Sequence, residues 1–490
     1  MTALDLIVIG GGISGAAVAR LAARNGLSVA LLEQGDLASG TSSATSHMLH
    51  GGLRYLEHGR FLLVRRSLAE RAVVSRMAPP LVRPTRFLVP LHSGGRVGPR
   101  KLRLGLQAYN WLAARKGLAP PGWLGARAAL ALEPEMEGRG LLGAGAYSDT
   151  VMDDARLCVA VARDAAAHGA AVHTYREVVG ARPGPPAGSP PAATVEVIAR
   201  DTIEGGEASF LARAVVIAAG PWSDGVRRLL WRALRPGSPE PEPILRPSRG
   251  VHLVYPPVTR GHALLLFAER DGRVFFVVPF GDRTLVGTTE VEVPPLPPRD
   301  AFRATLEEVR YLRAELERVL PGVKGVSPMA LTSGIRPLVR SDSGVDRASR
   351  EHLIVEDGPV VTLVGGKYTT FRPMARDVLA RLAPRLGRAG RAFEDAAAPL
   401  PRPLEPSSAP AALADFAVRE EFARRLEDVL RRRTPLRLAL DRGRAASAAM
   451  VPVMAEKLGW SAERTKQETQ SWEAALWEEE SLLARARGEP

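Results

Sequence analysis

The sequence predicts an α/β protein built in three parts, and three observations predict it. A short apolar strand over 4–9 runs straight into a glycine-rich turn and a helix. Between about 244 and 290, short β-branched runs alternate with turn residues, as in an antiparallel sheet. Near residue 400, Pro401, Pro403, Pro406 and Pro410 mark a linker, beyond which charged and apolar residues recur at helical spacing.

The first part has the form of a complete dinucleotide-binding unit. The strand Leu4 to Ile9 leads into Gly10-Gly11-Gly12-Ile13-Ser14-Gly15, the following helix carries Ala19 and ends near Gly26, and a second strand, Leu27 to Leu32, ends in Glu33. Gly10 allows the tight turn, Gly12 lets backbone approach a pyrophosphate, and Gly15 lets helix and strand pack closely. The helix N-terminus, with Ser14 in its first turn, offers unpaired N–H groups and a positive dipole end. Glu33 stands where a carboxylate accepts ribose hydroxyls, which disfavours a 2′-phosphate. Gly10, Gly12, Ser14, Gly15 and Glu33 are therefore the expected nucleotide-binding residues of a Rossmann-like domain, and the fingerprint by itself leaves FAD and NAD both open.

Further along, a helix is predicted over 61–77. Two later strands end in glycine: Ala214 to Ala219 before Gly220-Pro221-Trp222, and Val360 to Val364 before Gly365-Gly366-Lys367. Buried parallel strands that meet a ligand at their carboxyl ends look like this, so the nucleotide domain is expected to be discontinuous, over 1–80, 145–225 and 330–390. The strands His252 to Tyr255, Ala263 to Phe267, Arg273 to Pro279 and Thr284 to Gly287, with a hairpin turn over 269–272, place an inserted antiparallel-sheet substrate (cap) domain at 81–144 and 226–329. Pro- and Gly-rich segments 181–191 and 235–247 read as surface loops. Residues 400–490 form a C-terminal α-helical domain.

Length and composition agree with a soluble multidomain protein: 490 residues, 46% hydrophobic and 24% charged. No apolar run approaches the roughly 18 residues that span a bilayer, and no signal-peptide region precedes the first strand, so a cytoplasmic protein or one bound to the inner membrane face is expected. The 66 basic residues, nearly all arginine, exceed the 53 acidic ones and give a net charge of +13, which favours anionic partners. A single cysteine, Cys158, excludes an internal disulfide, a CxxC redox motif and a cysteine metal cluster, so no metal site is expected and redox chemistry must come from a cofactor.

Behind Glu33 comes a dense run of small and hydroxyl residues, Gly40-Thr41-Ser42-Ser43-Ala44-Thr45-Ser46-His47-Met48-Leu49-His50-Gly51-Gly52-Leu53-Arg54-Tyr55-Leu56-Glu57-His58, suited to line a cofactor with N–H and OH groups. This stretch resembles the flavin-dependent glycerol-3-phosphate dehydrogenase family. The resemblance continues, in the family's order, through segments 151–157, 219–222, 287–290, 333–338 and 365–372, and through 417–421 and 428–434 in the helical tail. Two departures stand out. Glu290 replaces a usual aspartate, at a position expected outside direct contact with substrate, and the stretch between linker and Ala417 is shorter than in most relatives.

The resemblance implies FAD as cofactor, held also by Thr41, Ser42, Ser43, His50, Gly51, Gly52, Gly220, Gly366, Lys367 and Thr369. It implies glycerol 3-phosphate as substrate, oxidised at C2 by hydride transfer to flavin, with electrons passing to a membrane quinone. Arg54, Arg336 and Arg350 have forked guanidinium groups suited to the phosphate. His50 and His252 are both candidates for the general base. Lys367, at a helix start after a glycine pair, suits the flavin edge or the substrate. The segments 100–112 and 226–232 combine cations, aliphatics and aromatics and read as elements that lie on anionic lipid. A homodimer is compatible with the family, and nucleic acid is not expected as a partner, because the tail mixes arginine with glutamate. The competing readings are a glycerol-3-phosphate oxidase using oxygen, another FAD-dependent oxidase such as an amino-acid oxidase, and a nucleic-acid-modifying flavoprotein.

Overall fold

The computed structural model describes residues 2–113, 118–187, 192–340 and 351–488. Two sheets organise it. The first has five parallel strands in the order Val360–Gly365, Glu207–Ile217, Leu4–Ile9, Val29–Leu32 and Ala171–His173, with His352–Asp357 antiparallel on one edge. Leu6, Ile7, Val8, Val215, Val216 and Ile217 are wholly buried, as strands covered on both faces require. Helices Ile13–Arg24, Asp154–Ala167 and Phe371–Leu382 pack together in one core with this sheet. The amino half of Glu207–Ile217 continues into an antiparallel meander with Ala192–Asp201 and Arg176–Ala187.

That meander corrects one expectation: 181–187, read as loop, is strand. Its prolines are tolerated because Arg176–Ala187 pairs only with Ala192–Asp201, and the register slips between Gly184 and Ala187. Residues 188–191 lie outside the described residues, and 235–247 forms no helix or strand.

The second sheet is mostly antiparallel. Its long strands Val82–His92 and Leu141–Met152 pair along their length, Val82–His92 takes Ala263–Phe267 as a parallel neighbour, and the sheet runs on through Val274–Phe280, Arg283–Gly287 and Ser248–Tyr255 to Ala330–Arg336. Leu141–Met152 runs across the boundary expected at 144/145, and Ala330–Arg336, just past the one expected at 329/330, still belongs to this second sheet. Each carries the chain back from the second sheet to the nucleotide domain, so the boundary falls at its carboxyl end. Helix Leu306–Val319 covers one face, started by a capping box between Thr305 and Glu308. Helix Pro99–Leu112 covers the other through Leu102, Leu106 and Tyr109.

The tail forms helices Pro410–Glu420, Arg444–Leu458 and Ala462–Arg487 around Met450, Trp472 and Leu476. Between the first two lies a single π-helical turn, Val429–Arg433. No helix among the described residues is long and apolar enough to cross a membrane.

Candidate active site

At the carboxyl end of Leu4–Ile9 the backbone does what the glycine spacing predicts. Gly10 has φ +114°, and a Cβ there would lie 2.5 Å from the carbonyl oxygen of Ala218. A Cβ on Gly15 would lie 1.9 Å from the Gly10 carbonyl oxygen, so helix and strand touch backbone to backbone. Gly15 is thus a packing position beneath the cavity, while Gly10, Gly12, Ser14 and Glu33 line it. The Glu33 carboxylate accepts the amides of Gly11 at 2.6 Å and Gly35 at 2.9 Å. Burial pushes its carboxyl above the ordinary value, and those two amides work against the shift. Ser42 Oγ accepts the Ile13 amide at 3.0 Å, tying the loop to the helix N-terminus.

These groups surround a cavity of about 410 Å³ that also meets Gly220 and Trp222. The donor set fits FAD. Glycines bare the backbone at a helix N-terminus for a pyrophosphate, and a carboxylate waits at the end of the second strand for a ribose. Thr41, Thr45, Gly366, Lys367 and Tyr368 line both this cavity and a second one of about 540 Å³ in front of it, so the two form one long cleft.

The front cavity gathers side chains distant in sequence. His50 and Arg54 come from the hydroxyl-rich segment, His252 from Ser248–Tyr255, Arg336 from the last position of Ala330–Arg336, and Lys367 from the turn after Val360–Gly365. Thr369 lines it too, exchanging contacts with the His50 backbone at 3.3 and 3.4 Å. Arg336 is aimed by Thr288, whose Oγ1 accepts from Nη2 at 2.8 Å. Gly250 has no side chain because a Cβ there would strike the same guanidinium at 2.3 Å. Lys367 Nζ sits 3.6 Å from the centre of the Tyr55 ring, a cation–π contact at the floor of the cavity. Tyr55 in turn crowds Gly52, which has φ +82°.

His252 is 2% exposed, and its Nε2 lies 2.9 Å from Ser46 Oγ. Burial lowers its pKa well below the usual histidine range, and the positive charge of Arg336 adds to the effect. The imidazole is therefore neutral at physiological pH, ready to accept a proton.

Several expected residues stand elsewhere. Gly51 does not reach the cavity. Its amide is held from below by Tyr109 Oη at 3.0 Å and Asp149 Oδ2 at 3.3 Å, while Tyr109 donates to Asp149 at 2.5 Å and Arg71 pairs with Asp149 at 3.0 Å. Ser43 faces a different cleft, beside Arg431 and Trp477 of the C-terminal domain. Glu290, expected outside the site, lines the front cavity, three residues past the strand that ends at Gly287. Arg350 lies outside the described residues. Segment 226–232 turns its apolar side inward: Leu230 is buried, Val226 and Leu229 line the nucleotide cavity, and Arg227 pairs with Asp357 at 2.7 Å, while Arg232 stays exposed.

Residues that sequence reasoning passed over include Ser46, Tyr55 and Thr288, which stood within recognisable segments, Tyr109, which stood in a segment read as lipid-facing, and Asp149 and Arg71, for which no local pattern exists.

Residues 5–372 match the family model described as FAD dependent oxidoreductase, and 363–465 match the C-terminal domain of alpha-glycerophosphate oxidase. The chain is 33% identical to a glycerol-3-phosphate dehydrogenase of Mycobacterium leprae, over 99% of this chain and 89% of that protein. It is 36% identical to one of Pseudomonas aeruginosa, over 81% and 75%. The crystal structure of glycerol-3-phosphate dehydrogenase from Bacillus halodurans complexed with FAD aligns with a TM-score of 0.73 at 24% identity, covering 97% of this chain and 94% of that one. L-alpha-glycerophosphate oxidase from Mycoplasma pneumoniae, with FAD bound, aligns at 0.61 and 18% identity, over 82% and 100%. The fingerprint, the long cleft and these likenesses agree: the chain is an FAD-dependent oxidoreductase and belongs to the glycerol-3-phosphate dehydrogenase family.

Proposed function

We propose that the protein oxidises sn-glycerol 3-phosphate at C2 to dihydroxyacetone phosphate and delivers the electrons to a membrane quinone. The observation that carries this reading is the meeting of Arg54, Arg336, Lys367, His50 and His252 in one cavity continuous with the nucleotide cleft. FAD, when bound, accepts the hydride. The guanidinium groups of Arg54 and Arg336 hold the phosphate dianion, Arg336 pre-aimed by Thr288. Lys367, fixed over Tyr55, places positive charge at the junction of the two cavities. The C2 hydroxyl proton passes to neutral His252 at Nε2, the nitrogen beside Ser46. A bound dianion offsets the charge of Arg336 and raises the proton affinity of that imidazole.

Membrane contact has a candidate surface. On helices Phe61–Met77 and Pro99–Leu112, which pack together, Phe61, Leu62, Leu104 and Trp111 are each more than half exposed, among exposed Arg65, Arg66, Arg100 and Arg103. Trp111→Glu is expected to abolish sedimentation with anionic vesicles while leaving activity toward a soluble dye intact.

Anaerobic addition of glycerol 3-phosphate should bleach the flavin absorbance, and a yellow enzyme after mixing overturns the substrate. A second reading, an oxidase, draws on the match of 363–465 to the oxidase C-terminal domain. Rapid reoxidation of the bleached enzyme by oxygen, with slow reoxidation by a quinone analogue, would favour it.

A further inference from the structure

Among the described residues, the nucleotide cavity is lined by nothing beyond Met374, so the C-terminal domain touches no part of it. The domain nevertheless grips the loop that forms its wall. Glu33, Gln34 and Ser39 to Ser42 line the cavity, while Asp36 between them points away and is 1% exposed. Both Asp36 oxygens are taken by the C-terminal domain: Arg433 donates through Nη1 and Nη2 at 2.6 Å each, and Arg432 through Nε at 2.5 Å. The two neighbouring arginines stand at the end of the π turn Val429–Arg433, and such turns recur at functional sites.

The arginines are themselves fixed. Arg433 donates to the Glu421 carbonyl at 2.7 Å, and Arg432 to Asp428 Oδ1 at 2.9 Å. Asp428 also accepts Tyr175 Oη at 2.7 Å, and the Tyr175 amide donates to the Gly35 carbonyl at 2.8 Å, closing the circuit on the same loop. The loop needs a hold from outside, because Ala38 has φ +62° and its amide must reach the Gly11 carbonyl at 3.0 Å. A buried ion pair is a poor source of net stability beside well-packed apolar groups, but it specifies geometry.

We propose that Arg432 and Arg433 are positioning residues for FAD: by clamping Asp36 they hold the 33–42 loop in the shape that receives the cofactor, so the C-terminal domain governs FAD retention. Linkage makes this reciprocal, since a clamp that favours FAD must itself be stabilised by FAD. In the unaltered protein, FAD added to the apoprotein is expected to slow amide hydrogen exchange over 421–434, a segment outside the cofactor cavity. Unchanged exchange there overturns the proposal.

Arg433→Lys keeps the charge and loses the fork. It and Asp36→Asn are expected to release FAD from the holoenzyme at least tenfold faster, read by FAD fluorescence, and to shrink the rise in unfolding temperature that FAD confers. Arg424→Gln, which breaks the contacts of the same domain with Asp201 and Glu204, is expected to leave release unchanged. If the Asp36 and Arg433 variants lower apoprotein and holoenzyme unfolding temperatures equally and release FAD at the unaltered rate, the clamp is only structural and the proposal fails. Should neither variant fold, the exchange measurement decides.

Discussion

The two ends of the cleft are built by different means. The nucleotide end rests on backbone: bare amides, glycines at positions where a Cβ would strike carbonyl oxygen, and one carboxylate, all supplied by the first 42 residues. The front end rests on side chains delivered by both sheets, with His50, His252, Arg336 and Lys367 separated by up to 317 positions. Backbone recognition tolerates almost no added atom, whereas side-chain recognition degrades by degrees. Substitutions at the two ends should therefore fail differently.

The sharpest break is expected at Gly15→Val. The new Cβ meets the Gly10 carbonyl at 1.9 Å, so the helix must leave the strand and the purified protein should carry no flavin, measured as visible absorbance per mole of protein. A yellow Gly15→Val enzyme would mean that the close packing is dispensable. At the front end, His252→Gln should keep the flavin and lower kcat by about 10²–10⁴-fold, the usual worth of a general base.

The same histidine carries a pH signature. Its folded pKa is depressed, so the neutral base persists as pH falls through 6.5, and the acid limb of kcat/KM should lie well below that value. The same sign holds for stability: the unfolded chain binds the proton first, so this residue's contribution is full above about 6.5, the ordinary histidine value, and is lost as pH falls below it. An acid limb at or above 6.5 would overturn His252 as the base.

Smaller effects sharpen the contrast. Arg336→Gln removes a charge-assisted contact of about 1.5–3 kcal/mol, an expected loss of roughly 10–100-fold in kcat/KM, appearing mainly as a raised KM for glycerol 3-phosphate. Thr288→Ala keeps the guanidinium and loses only its guide. The bond lost has a cationic donor but leaves the guanidinium free to find other partners, so the low end of about 1.5 kcal/mol applies and predicts a KM rise of up to roughly tenfold with FAD retention unchanged. If Thr288→Ala released flavin, the two ends would be less separate than their construction implies.

The legibility of each region follows its construction. The turn at Gly10 to Gly15 and the carboxylate of Glu33 were readable because a strand, a tight turn and a helix impose a fixed local spacing. Arg54, Arg336, Lys367 and both histidines were readable as residues of a resembling family, though nothing local says that they share a cavity. Asp149, which helps hold Gly51 in place, left no trace, since it looks like any polar residue within a strand. Segment 226–232 misled for the converse reason. Its basic amphipathic pattern is the same whether the apolar face meets lipid or a sheet, and here Leu230 meets the sheet. A strand such as Leu141–Met152, which leads from the second sheet to the next element of the first, carries one continuous β pattern and so gives no local sign of where one region ends.

By itself, then, the amino-acid order determined the α/β class, the dinucleotide cradle, the antiparallel insertion and the helical tail, because hydrophobic period and glycine spacing act over a few neighbouring residues. Only the tertiary structure decided that Arg336 points along Thr288, that Lys367 lies over Tyr55, and that two arginines some 400 residues away close on Asp36. Those contacts depend on which strands pair and how a buried charge is satisfied, and both are settled by the whole chain at once.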